Sequence, residues 1–282
     1  MKIPLLSKRQ FNRFKKVLPA PGNAEKILAL VVLSCAIWVI RHGHSWSDIP
    51  ITYGKHNTIR KRFSRWSRDG RFREAFKLFS AKAGKRNSAM IDSTIVKAHR
   101  TAASMKNDKQ PRTIGRSVGG LTTKIHWLAN RDKKPLDFTL TGGEASDAKE
   151  GVEIIVKNLW RIKKLLADKA YDTDQIREKL KKAKKEACIP PKSNRKNPAI
   201  YDRALYKDRS NIEIMFSRLK DWRGIAMRYC RSAHMFDSFV CIALITIFFD
   251  VPWSYGKLIY GRILKDFKPV MNVENRPSWP AY

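Results

Sequence analysis

Hydrophobic positions in the first 80 or so residues recur at helical spacing. An apolar run within residues 24–40 predicts a long buried helix, with Asn23 as its N-terminal cap. A break rich in Gly, Ser and Pro follows, and after it Ile59, Phe63 and Trp66 return once per helical turn. The pattern predicts an all-α N-terminal region.

Beyond a polar stretch near residue 85, β-branched runs alternate with amphipathic helices. Three strand-like runs come first, followed by a helix, a strand, a helix, a short strand and a final helix. These elements lie at 88–99, 120–130, 135–143, 147–162, 163–172, 173–186, 187–192 and 206–220. The order is that of a ribonuclease-H-like domain, an α/β fold with a mixed sheet and flanking helices.

Two uncharged apolar runs, 27–40 and 239–249, resemble membrane segments in composition only. At 14 and 11 residues they are shorter than the roughly 20 residues that span a bilayer, so we predict buried core helices and no membrane partner. The four cysteines contain no C-x-x-C pair, which favours neither a zinc site nor a disulfide framework. We expect the reducing cytoplasm as the compartment.

The chain is strongly basic along its whole length. It has 58 Lys and Arg residues against 25 Asp and Glu residues, a formal net charge of +33. Such a surface attracts polyanions, and we expect nucleic acid, bound through phosphate neutralisation. An anionic membrane surface and ribosomal RNA are the competing partners. A hydrophobic content of 43% excludes a disordered basic tail.

Basic side chains cover the second N-terminal helix between its apolar positions. The predicted DNA contacts among them are Arg60, Lys61, Arg62 and Arg65. An apolar helix, a short turn and a basic amphipathic helix form the order of a helix-turn-helix, whose second helix can enter a major groove. The alternative is a solvated helix whose charges serve solubility. We predict a helical, helix-turn-helix-like DNA-binding domain at 1–85, a ribonuclease-H-like domain at 86–250 and a C-terminal tail at 251–282.

Three acidic residues have unusual positions. Asp92 lies inside an otherwise apolar strand, Asp168 ends the strand "LLAD", and Glu213 lies at the edge of the buried face of a basic helix. Each also has a structural interpretation, as a turn or cap residue or, for Glu213, as the ion-pair partner of Arg209 one turn earlier. In the predicted fold, the first strand, the fourth strand and the final helix converge at one end of the sheet.

Three carboxylates at one place cannot all remain ionised without cations. Oxygen ligands of this kind suit Mg²⁺ or Mn²⁺. Two such ions about 4 Å apart can activate a water or a 3′-hydroxyl and stabilise the leaving oxygen during attack on a phosphodiester.

The residues around Glu213 complete a Y-x2-R-x3-E-x6-K signature. Its members are Tyr206, Arg209, Glu213 and Lys220. Five other segments occur in a matching order: "IDSTIVKAHRTAAS", "GRSVGGLTTKIHWLAN", "TGGEASDAKEG", "LLADKAYD" and "IPPKSNRK". With these segments, the chain resembles the DDE transposases of bacterial insertion sequences over most of residues 25–245.

The resemblance implies a function for each part of the chain. It implies a ribonuclease-H-like catalytic domain, cut-and-paste transposition and two Mg²⁺ (or Mn²⁺) ions bound by Asp92, Asp168 and Glu213. It implies that other members of the signature contact phosphates: Tyr206, Arg209 and Lys220. The implied partners are double-stranded DNA, as terminal inverted repeats and as target, and a second copy of the chain on that DNA. A cytoplasmic, DNA-associated bacterial protein fits this function.

Two other functions share much of this pattern. A DNA-binding protein without catalysis, either a repressor or an inactive transposase copy, needs only the basic helix and the charge. Ile214 and Cys230 stand where relatives often carry Arg and Asp, and both differences fit an inactive copy. A structure-selective nuclease on the same fold shares the chemistry but not the joining step.

Overall fold

The computed structural model describes residues 3–14, 17–18, 23–83, 87–104 and 113–248. Its α-helices are α1 (Lys8–Phe14), α2 (Asn23–His42), α3 (His56–Arg68), α4 (Arg71–Ala81), α5 (Asp147–Asn158), α6 (Asp174–Lys182), α7 (Arg203–Tyr206), α8 (Ser210–Lys220), α9 (Arg223–Ala226) and α10 (Ala233–Thr246). Its strands are β1 (Asn87–Ala98), β2 (Gly115–Ser117), β3 (Gly120–Asn130), β4 (Pro135–Gly142), β5 (Ile162–Leu166), β6 (Glu186–Cys188) and β7 (Met227–Arg228). The predicted tail at 251–282 lies outside the described residues.

The strands form one mixed sheet around β1. β1 is antiparallel to β3 on one side and parallel to β5 on the other, and β6 is parallel to β5. β4 pairs antiparallel with the far side of β3, while the short strands β2 and β7 pair with β3 and β1. The predicted α/β fold, an antiparallel meander continued by parallel strands, is confirmed. The sequence pattern did not predict β2 and β7.

Helices cover both faces of the sheet. On one face, Ile91 and Leu128 pack with the apolar sides of α5 and α6. On the other face, Met90 and Trp127 belong to a larger cluster that includes apolar residues of α2, α3, α4, α8 and α10. Side chains along β1 alternate between these two clusters, as the period of a strand requires.

The N-terminal region is helical, as predicted, and shares its core with the sheet. Phe63 on α3 contacts Phe239 on α10, with ring centroids 5.8 Å apart. An ion pair between Arg73 on α4 and Asp237 on α10 lies beside this contact. Between α2 and α3 the chain makes two 3-10 turns, so this connection is longer than the short turn of the prediction. The hydrophobic cluster that includes α3 and α4 thus extends to α10 and to the sheet, while the boundary near residue 85 stays a prediction.

The two uncharged apolar runs form buried helices, α2 and α10, in agreement with the prediction. Among the described helices, none combines the length and the apolar character needed to cross a membrane.

Candidate active site

Asp92 lies in β1, on the sheet face that α8 covers. It pairs across the sheet with Trp127, and directly opposite residues in an antiparallel pair point to the same face. Trp127 in turn packs edge-on against Phe216 of α8, with ring centroids 5.6 Å apart. Only 18% of the Asp92 side chain is exposed. The Oδ1 atom of Asp92 accepts a hydrogen bond from the Ser93 N–H at 2.8 Å.

The parallel register of β1 and β5 brings Asp168 beside Asp92. The last paired residues of the two strands are Met90 and Leu166, and each acid follows two residues later, Asp92 within β1 and Asp168 just beyond the end of β5. Because side chains alternate with a period of two, both acids continue the face of Met90 and Leu166. Asp168 Oδ1 accepts a hydrogen bond from the Ala170 N–H at 2.9 Å, which fixes the turn that ends the strand.

Arg209 joins Asp92 to Glu213. Its Nη1 donates to Asp92 Oδ2 at 2.9 Å, and its Nη2 donates to Glu213 Oε1 at 2.6 Å. Glu213 lies in the first turn of α8, and 56% of its side chain is exposed. One guanidinium therefore binds a carboxylate of β1 and a carboxylate of α8. The structural interpretation of Glu213, an ion pair with Arg209, is present in the structure.

The acids of this region influence one another. Burial raises the pKa of Asp92 to about 6; the carboxylates of Asp168 and Asp147 add to the rise, while the Ser93 N–H and Arg209 oppose it. Burial alone would lower the pKa of Arg209, but Asp92 and Glu213 raise it overall. The guanidinium thus remains charged and partly offsets the negative charge of the cluster.

The convergence of the three predicted acids is partial. Asp92 and Glu213 share Arg209, and Asp168 is the neighbour of Asp92 along the parallel strands. In the part of the chain that the structure describes, no three Asp, Glu, His or Cys side chains are grouped as metal ligands. In the structure, the cation that Asp92 and Glu213 bind is the Arg209 guanidinium.

A fourth acid, Asp147, lies near the site and was not identified from the sequence. Its Oδ1 lies 3.2 Å from Lys124 Nζ and 3.6 Å from His126 Nδ1. Burial lowers the pKa of His126 to about 4, so the imidazole is neutral at pH 7. Asp147 begins α5, and an acid in the first turn of a helix is so common that its position gave no signal.

Two of the quoted sequence segments, "TGGEASDAKEG" and "LLADKAYD", pack closely against each other near Asp168. The ring of Tyr171 is buried against Gly151 on α5, and a Cβ at Gly151 would lie 2.5 Å from that ring. Burial raises the pKa of Tyr171 far above its usual range, and the charges of Asp147, Asp92 and Asp168 act in the same direction. The phenol therefore stays neutral. Its packing against α5 supports the turn that carries Asp168.

Comparison with known proteins identifies the family. Residues 84–248 match the family model described as "Transposase DDE domain". The chain belongs to the DDE transposases. Residues 6–76 match a second family model, described as "Putative transposase of IS4/5 family".

Two curated relatives match parts of the transposase chain. A "Putative transposase for insertion sequence element IS6501" from Brucella ovis is 32% identical over 124 residues, which cover 44% of this chain and 95% of the relative. "Uncharacterized protein y4sN" from Sinorhizobium fredii is 34% identical over 87 residues, which cover 31% of this chain and 69% of the relative. The chain is therefore a DDE transposase of the insertion-sequence type.

Solved transposase complexes align with the chain only loosely. The Mos1 strand transfer complex aligns with a TM-score of 0.32 and 11% identity, over 77% of this chain and 74% of the Mos1 chain. The piggyBac synaptic complex with hairpin DNA aligns with a TM-score of 0.42 and 10% identity, over 92% of this chain and 78% of the other. The family assignment rests on the two family models and the curated relatives.

The basic side of α3 is available on the transposase surface. Its apolar residues Ile59, Phe63 and Trp66 are buried, as their spacing predicted. Three of the predicted DNA contacts are exposed and the fourth, Arg62, is half-buried; the exposed ones are Arg60, Lys61 and Arg65. This agrees with the predicted amphipathic helix, while the DNA contacts themselves stay a prediction.

The remaining signature residues differ in their surroundings. Lys220 is exposed at the end of α8. Tyr206 is half-buried, with the Arg209 guanidinium 5.9 Å from its ring centroid and the Tyr201 ring edge-on at 5.5 Å. Burial is the main cause that raises the pKa of Tyr206. Tyr206 and Arg209 form one contact group, whereas Lys220 lies about two helical turns beyond Glu213 along α8.

Asp172 has a structural role in the transposase. Its side chain is fully buried and accepts hydrogen bonds from Arg177 Nε at 2.6 Å, Arg195 Nε at 2.8 Å and the Lys192 N–H at 2.8 Å. These bonds hold the segment "IPPKSNRK" against the start of α6. Thr173 caps that helix, and its Oγ1 accepts a hydrogen bond from the Ile176 N–H at 3.3 Å.

The two departures from the family pattern are an exposed residue next to Glu213 and a residue beside the buried Arg228. Ile214 is an exposed residue of α8. The buried Arg228 donates from Nη1 to Thr123 Oγ1 at 2.8 Å and from Nε to the backbone oxygen of Cys230 at 3.1 Å. Cys230 thus contacts Arg228 through its backbone oxygen.

Proposed function

We propose that the transposase cleaves DNA at the terminal inverted repeats of its element and joins the free 3′-ends to target DNA. The observation that carries this proposal is the pair of carboxylates, Asp92 and Glu213, held on one guanidinium with Asp168 beside them in register. These residues come from β1, from the turn after β5 and from α8, and they lie at the same end of the sheet. Such a cluster suits the transfer of phosphodiester bonds between oxygens.

The donor set fits divalent metal ions. Asp92, Asp168 and Glu213 would hold two Mg²⁺ or Mn²⁺ ions, since carboxylate oxygens suit such hard cations. The fit is supported by the binding of a cation, the Arg209 guanidinium, to two of these carboxylates. Bound metal would supply an activated water or 3′-hydroxyl and charge stabilisation of the leaving oxygen.

Arg209 has to change partners for this function. In the structure its two terminal nitrogens are bound to Asp92 and Glu213, so it competes with any other cation for these oxygens. We propose that a DNA phosphate takes over the guanidinium, which suits bidentate phosphate binding. The half-buried ring of Tyr206 lies beside Arg209 and would limit where the guanidinium can move. Lys220 would hold the DNA backbone farther along α8.

The N-terminal helices would position the DNA. We propose that residues 1–85 form the DNA-binding part and residues 86–250 the catalytic part. The exposed basic residues of α3 would contact the inverted repeat: Arg60, Lys61 and Arg65, with Arg62 at the edge of the contact. Two ends must be held together for joining, so we propose a homodimer on DNA that acts in the bacterial cytoplasm.

A strand-transfer assay tests the proposal. Purified protein is incubated with labelled inverted-repeat DNA, an unlabelled target plasmid and Mg²⁺ or Mn²⁺. We expect labelled DNA joined to the plasmid, and no product in EDTA. Released fragments without joined product would instead identify a nuclease. Tight binding without any strand breakage would identify a DNA-binding protein without catalysis.

A further inference from the structure

Two lysines of the described chain have an unusual backbone conformation. Lys133 has φ 58° and Lys184 has φ 55°, and no other described non-glycine residue has a positive φ. This left-handed region costs a residue with a Cβ roughly 1 kcal/mol relative to Gly. Both positions therefore carry a lysine where Gly would adopt the backbone conformation without this cost.

Lys184 occupies the position after α6 where Gly is preferred. The Lys184 N–H donates to the Lys181 oxygen at 2.9 Å, and the Lys185 N–H donates to the Leu180 oxygen at 2.8 Å. These two bonds form the Schellman motif, whose left-handed residue is commonly Gly or Asn. The Lys184 side chain is exposed, so it makes no packing contribution that would explain its presence.

Lys133 lies in the tight turn between β3 and β4. Its N–H donates to the Asn130 oxygen at 3.1 Å, and the Asn130 N–H donates to the Lys134 oxygen at 3.0 Å. Left-handed positions of such turns favour Gly, Asn or Asp. The Lys133 side chain is half-exposed.

Both lysines lie at the sheet edge opposite the carboxylates. The end of β3 pairs with the start of β1, which pairs with the start of β5, and β5 pairs with the start of β6. Lys133 follows β3 and Lys184 precedes β6, and three interstrand spacings, about 14 Å in all, separate these two strands. Asp168 lies beyond the other end of β5, about 20 Å away along the strand.

More positive charge surrounds this edge. Lys163 of β5 is exposed, as are two lysines at the end of α6, Lys181 and Lys182. Trp160, directly before β5, has 65% of its surface exposed, and the Arg161 guanidinium lies 5.1 Å from its ring centroid. A basic surface with an exposed aromatic ring is typical of nucleic-acid contact.

We propose that this lysine edge binds the backbone of a second DNA segment, separate from the DNA at the carboxylates. The lysine edge consists of Lys133, Lys163, Lys181, Lys182 and Lys184. The inference rests on the proposed function, because it takes DNA as the polyanion. Since about 14 Å of sheet separates β3 from β6, the two lysines can contact different phosphates of one duplex.

The test replaces both left-handed lysines by Asn, which tolerates this conformation without the charge. Binding of a duplex without inverted repeats is measured over a range of salt concentrations, together with thermal unfolding. For Lys133→Asn/Lys184→Asn we expect a salt slope of log K smaller by about 2, roughly tenfold weaker binding at low salt and no loss of thermal stability. Lys133→Arg/Lys184→Arg is the matched control and keeps the wild-type slope.

A salt slope of log K that is unchanged in Lys133→Asn/Lys184→Asn overturns the proposal. So does a slope that falls equally in Lys133→Arg/Lys184→Arg, because the Arg variant keeps both charges. Lys163→Gln gives a second test on a regular strand position, with an expected slope change of about 1. Cleavage of inverted-repeat DNA separates this inference from the proposed function. A smaller slope with normal cleavage supports both, while a smaller slope in a chain that never cleaves supports the lysine edge alone.

Discussion

The Asp92→Asn variant is expected to lose metal-dependent cleavage of inverted-repeat DNA by roughly a thousandfold or more. Asn has the shape of Asp and still accepts a hydrogen bond from Arg209, which binds Asp92 Oδ2 at 2.9 Å, but it lacks the negative charge that a divalent ion requires. Because the side chain lies in the sheet and away from α3, DNA binding should stay at the wild-type level. Gel-based cleavage and electrophoretic mobility assays measure both quantities.

Asp208→Asn is the matched control for this variant. Asp208 directly precedes Arg209 in the chain, yet its carboxylate pairs with Arg131 Nε at 2.8 Å. It therefore belongs to a different ion pair from those of Asp92 and Glu213. We expect its cleavage rate to stay within roughly threefold of wild type, as for a surface ion pair of small energy. If Asp92→Asn cleaves DNA at the wild-type rate, Asp92 is not part of the proposed site.

The Arg209→Gln variant is expected to change metal binding and cleavage in opposite directions. The guanidinium contacts Asp92 and Glu213, and a charge at such a distance contributes about 1 kcal/mol in water and about 4 kcal/mol near a protein surface. Without it, the free protein should bind Mn²⁺ about tenfold more tightly, since tenfold corresponds to about 1.4 kcal/mol. Cleavage should fall by roughly a hundredfold, because the phosphate contact is lost.

Isothermal titration with Mn²⁺ in the absence of DNA measures the first effect, and the cleavage assay measures the second. Arg209→Lys keeps the positive charge and should keep Mn²⁺ affinity close to wild type, while losing the bidentate geometry. Weaker Mn²⁺ binding by Arg209→Gln would show that Arg209 organises the carboxylates and does not compete with metal.

Strong periodicity made the fold predictable. The alternation along β1 and the apolar faces of α3 and α8 agree with the structure because each element buries one side. The pattern did not reveal what each buried face packs against, such as the contact of α3 and α4 with α10. The strands β2 and β7 are three and two residues long, too short for any period to be visible.

The sequence indicated candidate site residues but not the contacts between them. Asp92 was identified because an acid inside an apolar strand is costly, and Glu213 because it completes a spaced signature. The contact of Arg209 with Asp92 joins residues 117 positions apart and depends on side-chain conformations that no local pattern encodes. The left-handed lysines were missed for a similar reason, since sequence rules expect Gly or Asn at such positions.

The most direct test of the central claim, that these carboxylates bind the metal ions of the reaction, is the metal dependence of Asp168→Cys. A thiolate is a softer ligand than a carboxylate and binds Mg²⁺ poorly but Mn²⁺ better. The claim predicts that Asp168→Cys joins inverted-repeat DNA to target poorly in Mg²⁺ and recovers a measurable part of its activity in Mn²⁺. Activity equal to wild type in Mg²⁺ would contradict it, because Asp168 would then hold no metal ion.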